Sequence, residues 1–309
     1  MTTHFRTYNQ VGIKEDISDV ITNISPTATP FQSLIGQESV NNTVYQWQED
    51  ELAAVAANAQ VEGADGSDAT MAATVMRSNF TQIMAKTIRV SATSDAVSTY
   101  GRAKETAYQL SKKSAELKRE FEFALVGSAR NAAAGSSSVA RQFGNVWGND
   151  AGGNALINSS VITNNATAAA LTEAMILATN QRLYEAGGDA SYLMIKPADS
   201  LIVASFAAAA GRTRDFEAGT KLVNVVDIYV SPFGTQKVVL NRFMKADSAL
   251  LFDPANWKKA VLRPFSRTLL AKTGDSDRHF IVGEFGLKHV NYKATGAITG
   301  LTGTNPMLP

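Results

Sequence analysis

The run VSTYGRAKETAYQLSKKSAELKREFEFALVG (residues 97–127) is the longest regular pattern in the sequence. Apolar and small side chains recur at about 3.6-residue spacing, and charged residues occupy the other faces. The pattern predicts a helix from Ser94 to Gly127, capped by Ser94 or Asp95 and about 50 Å long. Because small residues thin its single apolar stripe, a helix packed on a body is favoured over a coiled coil.

The charges of this helix predict a solvated surface. Its basic residues could touch phosphate, but Glu116, Glu120 and Glu122 cancel much of their field and support pairing along the helix. The 309-residue chain has a net charge of only +1, so nucleic acid is not an obvious ligand. It has no cysteine, which fits a reducing cytosol, and no run typical of a signal peptide or membrane span.

Two segments precede the helix. The pattern in residues 1–36 predicts an arm with a short amphipathic helix that ends before Pro26 and Pro30. Its apolar stripe consists of Ile17, Val20, Ile21 and Ile24. Residues 37–93 contain two β-rich runs around an Ala-, Gly- and Asp-rich stretch, which predicts a long hairpin. Such a ribbon needs support, either from another subunit or from its own domain.

The residues after the helix predict an α+β architecture. A Gly-, Ser- and Asn-rich connection comes first, then a helix over about 167–188, a buried strand at 191–197 and a second helix over 198–211. Five strand-like runs joined by turns that contain Gly or Pro complete the chain.

The stretch LAKTGDSDRHFIV (residues 270–282) is the best candidate for catalysis, because Ser276, Asp277 and His279 lie close together in sequence. In a strand, however, Ser276 and His279 point to opposite faces, while Asp277 and His279 share one. A turn between two strands is therefore favoured over a hydrolytic site.

The sequence predicts no cofactor and no metal site. It has no phosphate-binding loop, no Gly-x-Gly-x-x-Gly fingerprint and no His-Glu-x-x-His motif. The run EGADGSDAT (residues 62–70) could hold a hard cation through Asp65 and Asp68 but lacks the ligand spacing of a calcium loop. A solvated hairpin tip is the favoured interpretation.

Four stretches have a family resemblance: NISPTATPFQSLIG (23–36), FGTQKVVLNRF (233–243), LLFDPANWKKAVLRPF (250–265) and LLAKTGDSDRH (269–279). They resemble one branch of the tailed-bacteriophage major capsid proteins with the Hong Kong 97-like fold. The resemblance spans almost the whole chain. The order of arm, ribbon, long helix, α/β region and closing strands agrees with it.

The resemblance implies five regions. They are an N-terminal arm (1–36), an extended loop (37–93), a spine helix with a linker to the peripheral domain (94–168), an axial domain (about 169–260), and peripheral-domain strands with the C-terminus (261–309). The extended loop would lie across the adjacent subunit. The lysine and asparagine that crosslink the namesake phage have no match here, so no covalent chemistry is implied.

The implied function is self-assembly into an icosahedral head shell around packaged double-stranded DNA. The implied partners are copies of the chain in hexamers and pentamers, a portal protein, a separate scaffolding protein and a candidate decoration protein. DNA would be only a non-specific neighbour, and no membrane is involved. The chain would assemble in the bacterial cytoplasm and reside in the virion.

Aromatic and large apolar side chains are the predicted contacts, since they dominate interface energies. The predicted interface residues between subunits are Phe31, Leu34, Tyr45, Trp47, Phe80, Ile83 and Ile88. The predicted packing residues are Phe121, Phe233, Trp257 and Phe265. Two alternatives remain open: a tail-tube or other virion structural protein, and a hydrolase that uses Asp277 and His279.

Overall fold

The computed structural model describes residues 27–63, 65–66, 68–98, 103–209 and 228–303. The helices are α1 (Pro30–Leu34), α2 (Ala92–Ala96), α3 (Glu105–Val126), α4 (Glu173–Glu185) and α5 (Ser200–Ala209). The strands are β1 (Gly36–Ser39), β2 (Val44–Glu49), β3 (Val75–Phe80), β4 (Gln82–Ser91), β5 (Ile162–Ala169), β6 (Tyr192–Ile195), β7 (Ile228–Ser231), β8 (Gly234–Leu240), β9 (Ser248–Phe252), β10 (Trp257–Leu270), β11 (Ser276–His289) and β12 (Thr295–Leu301).

Helix α3 is the long helix that the sequence predicts, but it is shorter at its N-terminal end. It spans 22 residues, about 33 Å, and Gly127 follows its last residue. The predicted start at Ser94 is wrong, because residues 92–96 form the separate helix α2. The Ser91 hydroxyl accepts a hydrogen bond from the Ser94 amide at the start of α2, and extended backbone at Val97 ends that helix.

A four-stranded sheet, in the order β1-β10-β11-β4, packs against α3 through β4. Strands β10 and β11 pair antiparallel and are joined by the turn at residues 271–275, where Gly274 has a φ of +89°. A left-handed backbone there favours glycine, so the turn predicted within LAKTGDSDRHFIV is confirmed. Alternate side chains of β4 are buried, as expected of a sheet with one covered face.

A six-stranded sheet, in the order β5-β12-β9-β6-β8-β7, forms the second unit of the fold. Helix α4 packs on β12 and β5, and all five residues of β9 are buried. The last strand, β12, lies between β5 and β9. This sheet therefore combines residues 162–252 with 295–301, so its limits differ from those expected for an axial domain at 169–260.

Candidate assembly surfaces

The end of the arm packs on the body of its own chain. Phe31 in α1 is fully buried, with its ring centroid 5.4 Å from that of Phe252 and 5.9 Å from that of Trp257. Leu34 packs partly buried against the same core. The expectation that Phe31 is buried by another subunit is corrected, since it has no exposed surface left. The predicted stripe from Ile17 to Ile24 lies outside the described residues.

Glu122 fixes this end of the arm to α3. Its carboxylate accepts hydrogen bonds from the amides of Phe31 (2.7 Å) and Gln32 (2.9 Å), and from the Asn241 side chain (2.6 Å). Burial raises the pKa of Glu122, and these three donors oppose that rise. The prediction of a solvated face at Glu122 is wrong, because its side chain is fully buried. The apolar residues near it, Phe121 and Leu125, are both buried, and they were the sequence signal that this end of the helix is covered.

Glu122→Ala should lower the free energy of unfolding by about 3 kcal/mol, because it leaves two buried donors and one part-buried donor without their acceptor. Glu122→Gln keeps one acceptor and should cost about 1 kcal/mol. Urea denaturation of both variants measures the difference. Equal losses of unfolding free energy would contradict the role of the Glu122 carboxylate in holding the arm end.

Since the folded-state pKa of Glu122 is raised, the wild-type carboxyl favours the folded state less as the pH rises above 4.5, the ordinary value. Glu122→Gln should remove this component of the pH dependence.

The base of the ribbon β2–β3 also packs on its own chain. Tyr45 and Trp47 are buried and their rings stack, with centroids 6.0 Å apart. The Tyr45 hydroxyl donates to the carbonyl of Leu287 at 2.7 Å. Arg77 bridges Glu49 (3.0 Å) and Asp150 (3.2 Å). The ribbon was expected to be supported either by another subunit or by its own domain. The chain's own domain supports the base of the ribbon.

Gly286 is a point of close approach between the ribbon and the sheet. A Cβ added there would lie 2.4 Å from the Tyr45 hydroxyl and 2.9 Å from the carbonyl oxygen of Phe80. Gly286→Ala should therefore cost about 1–3 kcal/mol of stability, measured by urea denaturation. Gly66→Ala is the matched control, because nothing lies within 4 Å of a Cβ at Gly66. Equal stability of the two variants would show that the ribbon base does not pack as described.

The tip of the ribbon, residues 50–74, is the main exposed feature. All its described residues are exposed, and none of them forms a strand or helix. Four large apolar side chains there are each at least 80% exposed: Leu52, Val55, Val61 and Met71. Burial of such side chains is worth about 1.5–3 kcal/mol each, so the tip is a surface suited to a partner.

The other predicted residues divide between core and surface. Ile83 is 53% exposed on the open face of β4, whereas Ile88 is buried on the face toward α3. Phe80 is half-buried. Phe121 and Trp257 are buried in the core. Phe233 and Phe265, expected as packing residues, are only partly buried; Phe265 lies on the outer half of β10 and is 38% exposed.

The candidate catalytic residues do not form a hydrolytic site. The Ser276 hydroxyl accepts a hydrogen bond from Arg89 at 2.9 Å, and Asp277 pairs with Lys272 at 3.1 Å. Nδ1 of His279 is buried without a partner among the described atoms. Across the described ranges, no group of three or more acidic or histidine side chains is placed to hold a metal ion. No helix described here is long and apolar enough to cross a membrane.

The structure contains a buried chain of polar groups around His289 that the sequence pattern does not predict. The imidazole stacks on Trp257 at 3.9 Å, and its Nδ1 lies 2.6 Å from the carbonyl oxygen of Leu156. The Thr295 hydroxyl accepts from the Trp257 indole at 2.9 Å and contacts Nε2 of His289 at 3.0 Å. A neutral imidazole with its proton on Nδ1 satisfies every partner. Burial lowers the pKa of His289 to about 3.

Solved structures show which fold this chain has. The capsid asymmetric unit of cyanophage A-1(L) matches with a TM-score of 0.69 over 96% of this chain and 99% of that chain, at 12% identity. The capsid of a native GTA particle matches at 0.61, over 96% and 98% of the chains and at 10% identity. The SrpI encapsulin of Synechococcus elongatus matches at 0.59, over 97% and 96% and at 9% identity. The fold is the Hong Kong 97-like capsid fold.

Sequence relatives then define the family. The model described as SU10 major capsid protein matches residues 1–302. The major capsid protein of Escherichia phage Phieco32 is 35% identical, over 96% of both chains. The chain therefore belongs to the SU10 major capsid protein family. It is a structural protein of a tailed-phage shell, so the predicted resemblance is confirmed, and the hydrolase and tail-tube alternatives are wrong.

Proposed function

We propose that the tip, residues 50–74, lies on a neighbouring subunit and is the principal contact between copies in hexamers and pentamers. The supporting observation is its exposure: four large apolar side chains protrude from the body while the ribbon base is held. Leu34, Phe80 and Ile83 retain exposed surface and are secondary contacts. Many such weak contacts, repeated around a shell, sum to a stable particle.

The finer assignments follow from the family resemblance. Residues 1–36 act as the arm, 37–93 as the extended loop and 94–168 as the spine helix with its linker. The axial domain is built around the six-stranded sheet and the peripheral domain around the four-stranded sheet. A portal protein, a separate scaffolding protein and a decoration protein are the proposed partners, and assembly takes place in the bacterial cytoplasm. A net charge of +1 leaves packaged DNA weakly held.

Replacing Leu52, Val55, Val61 and Met71 together with serine should reduce shell yield by about tenfold or more, because each contact between subunits loses buried apolar area. The thermal unfolding of the monomer should not change, since these side chains touch little of their own chain. Negative-stain microscopy of the expressed protein, with and without the other head proteins of its phage, measures the yield.

The matched control replaces Val139 and Val290, exposed apolar residues outside the tip, with serine. This variant should assemble like the wild type. Normal shells from the tip variant would contradict the proposed contact.

A further inference from the structure

The long helix α3 is buried along its second half and uncovered along its first. Its buried residues all lie from Leu117 onward. In the described structure none of the residues 105–116 is buried, although β4 supports one side of this half through the ion pair of Lys86 with Glu116 at 2.8 Å. A helical segment of this length is marginal in water without packing. The first half of α3 therefore has a side suited to a further contact.

The uncovered side carries positive charge and no acidic residue. We define the open face of α3 as five exposed residues that recur every three or four positions: Lys104, Ala107, Ser111, Ser114 and Lys118. Residues at this spacing share one side of a helix. Glu116 and Glu120 pair with Lys86 on the side toward β4. The open face therefore has a lysine at each end and small side chains between them.

The charge of Lys118 is unpaired within the described parts of the chain. Lys118 makes no ion pair there, and neither does Lys259 of β10. Burial lowers the pKa of Lys259, and the nearby charge of Lys118 lowers it further. An arriving carboxylate would relieve this repulsion, since opposite charges attract most strongly where water is partly excluded.

The arm is attached to α3 at the end of the open face. In α1, Nε2 of Gln32 donates to the carbonyl oxygen of Lys118 at 2.9 Å, so α1 lies on α3 at that residue. Residues 25–29, just before α1, can span at most about 17 Å. A helix over residues 15–24 would be about 15 Å long, and the open face from Ala107 to Lys118 is about 17 Å long. The length and the attachment of residues 15–24 therefore suit the open face.

The same segment of the arm carries the complementary charge. Residues 15–24, EDISDVITNI, contain three acidic residues and no basic one: Glu15, Asp16 and Asp19. Their sequence also predicts an apolar stripe, from Ile17 to Ile24, that needs a surface to cover it. The small side chains of the open face allow a second helix to approach closely.

We propose that residues 15–24 of the arm bind the open face of α3 of the same chain in the free subunit. The acidic residues pair with Lys104 and Lys118, and the apolar stripe packs on Ala107 and the two serines. The same chain is favoured over a second copy, because α1 holds the arm beside Lys118 and a short tether gives an effective concentration on the order of millimolar. The inference does not depend on the contact proposed for the tip.

A disulfide test locates the arm directly, because the chain contains no cysteine. Val20→Cys, combined with Ser111→Cys or with Ser114→Cys, should give a disulfide within one chain when dilute monomer is treated with oxidised glutathione. Intact mass and a non-reducing gel measure the product. Val20→Cys with Ser266→Cys is the matched control, since Ser266 is exposed on the side of the four-stranded sheet away from α3. It should not form the bond.

Hydrogen exchange of residues 105–116 gives an independent readout. Removal of residues 1–24, or Lys104→Glu with Lys118→Glu, should speed amide exchange there by about tenfold, because the helix opens more often without its cover. Adding Asp16→Lys and Asp19→Lys to the two lysine reversals should restore most of the protection, which a folding defect would not allow. Lys237→Glu with Arg267→Glu is the matched control at exposed basic residues elsewhere.

The outcomes separate this contact from its alternatives. No disulfide from either serine, together with unchanged exchange after removal of residues 1–24, would overturn the contact but leave the proposed role of the tip standing. Linked dimers in place of linked monomers would assign the arm to a second copy and overturn the contact within one chain. Unchanged exchange after removal of the arm, with loss of binding to a short DNA duplex on reversal of Lys104 and Lys118, would assign the open face to nucleic acid instead.

Discussion

Acidification from pH 6.5 to pH 3 should lower the free energy of unfolding by about 4 kcal/mol through His289 alone. The folded-state pKa is about 3, against an ordinary value of 6.5, because the imidazole is fully buried. Between these values the unfolded chain binds the proton and the folded chain does not. Stability from this residue is therefore complete above pH 6.5 and is lost as the pH falls toward 3.

The difference between wild type and His289→Gln isolates this effect, since carboxylates titrate in both proteins. The variant should have a flatter dependence of unfolding free energy on pH, measured by urea denaturation between pH 3 and 7. An NMR titration of the imidazole provides a second readout that does not require the variant to be stable. An imidazole that protonates near pH 6 in the folded protein would contradict the described burial.

Trp257→Ala should cost about 3–5 kcal/mol of unfolding free energy, the range for a large buried aromatic residue. The indole is fully buried, stacks on His289 and contacts Phe31, and its N–H donates to Thr295. Truncation leaves a cavity between the arm end and both sheets. A loss of this size is a large share of the stability of a typical domain, so folded protein and shell yield should fall together.

Phe265→Ala is the matched control for Trp257, because both are aromatic residues of β10 and Phe265 is 38% exposed. It should cost about 1 kcal/mol. Urea denaturation at neutral pH compares the two variants. Similar losses of unfolding free energy from both variants would show that the aromatic cluster around Trp257 does not join the arm end to the two sheets.

The sequence predicted those elements whose signal is local. The apolar period identified most of α3, and the opposite strand faces of Ser276 and His279 argued against a catalytic pair. The turn at Gly274 was recognisable for the same reason, since glycine there meets a backbone requirement. The order of the sequence regions led to the family resemblance, and that resemblance supplied the function.

Contacts between distant residues could not be predicted in this way. His289 and Leu156 are 133 positions apart, and Phe31 and Glu122 are 91 apart. No periodicity within one segment records which other segment covers it. The sequence therefore predicts that the arm end and the ribbon base need a neighbouring subunit. In the structure, the body of the same chain buries Phe31, Tyr45 and Trp47. Among the described residues, the tip carries the most exposed large apolar side chains.

Limited proteolysis of the tip, before and after assembly, is the most direct test that this chain functions by contacts between copies in a shell. Cleavage between residues 50 and 74 should be fast in the monomer, where every described residue of the tip is exposed. In purified shells the same segment should be protected by the neighbouring subunit, while the body is cut at similar rates in both states. Equal cleavage of the tip in monomers and shells would contradict the account.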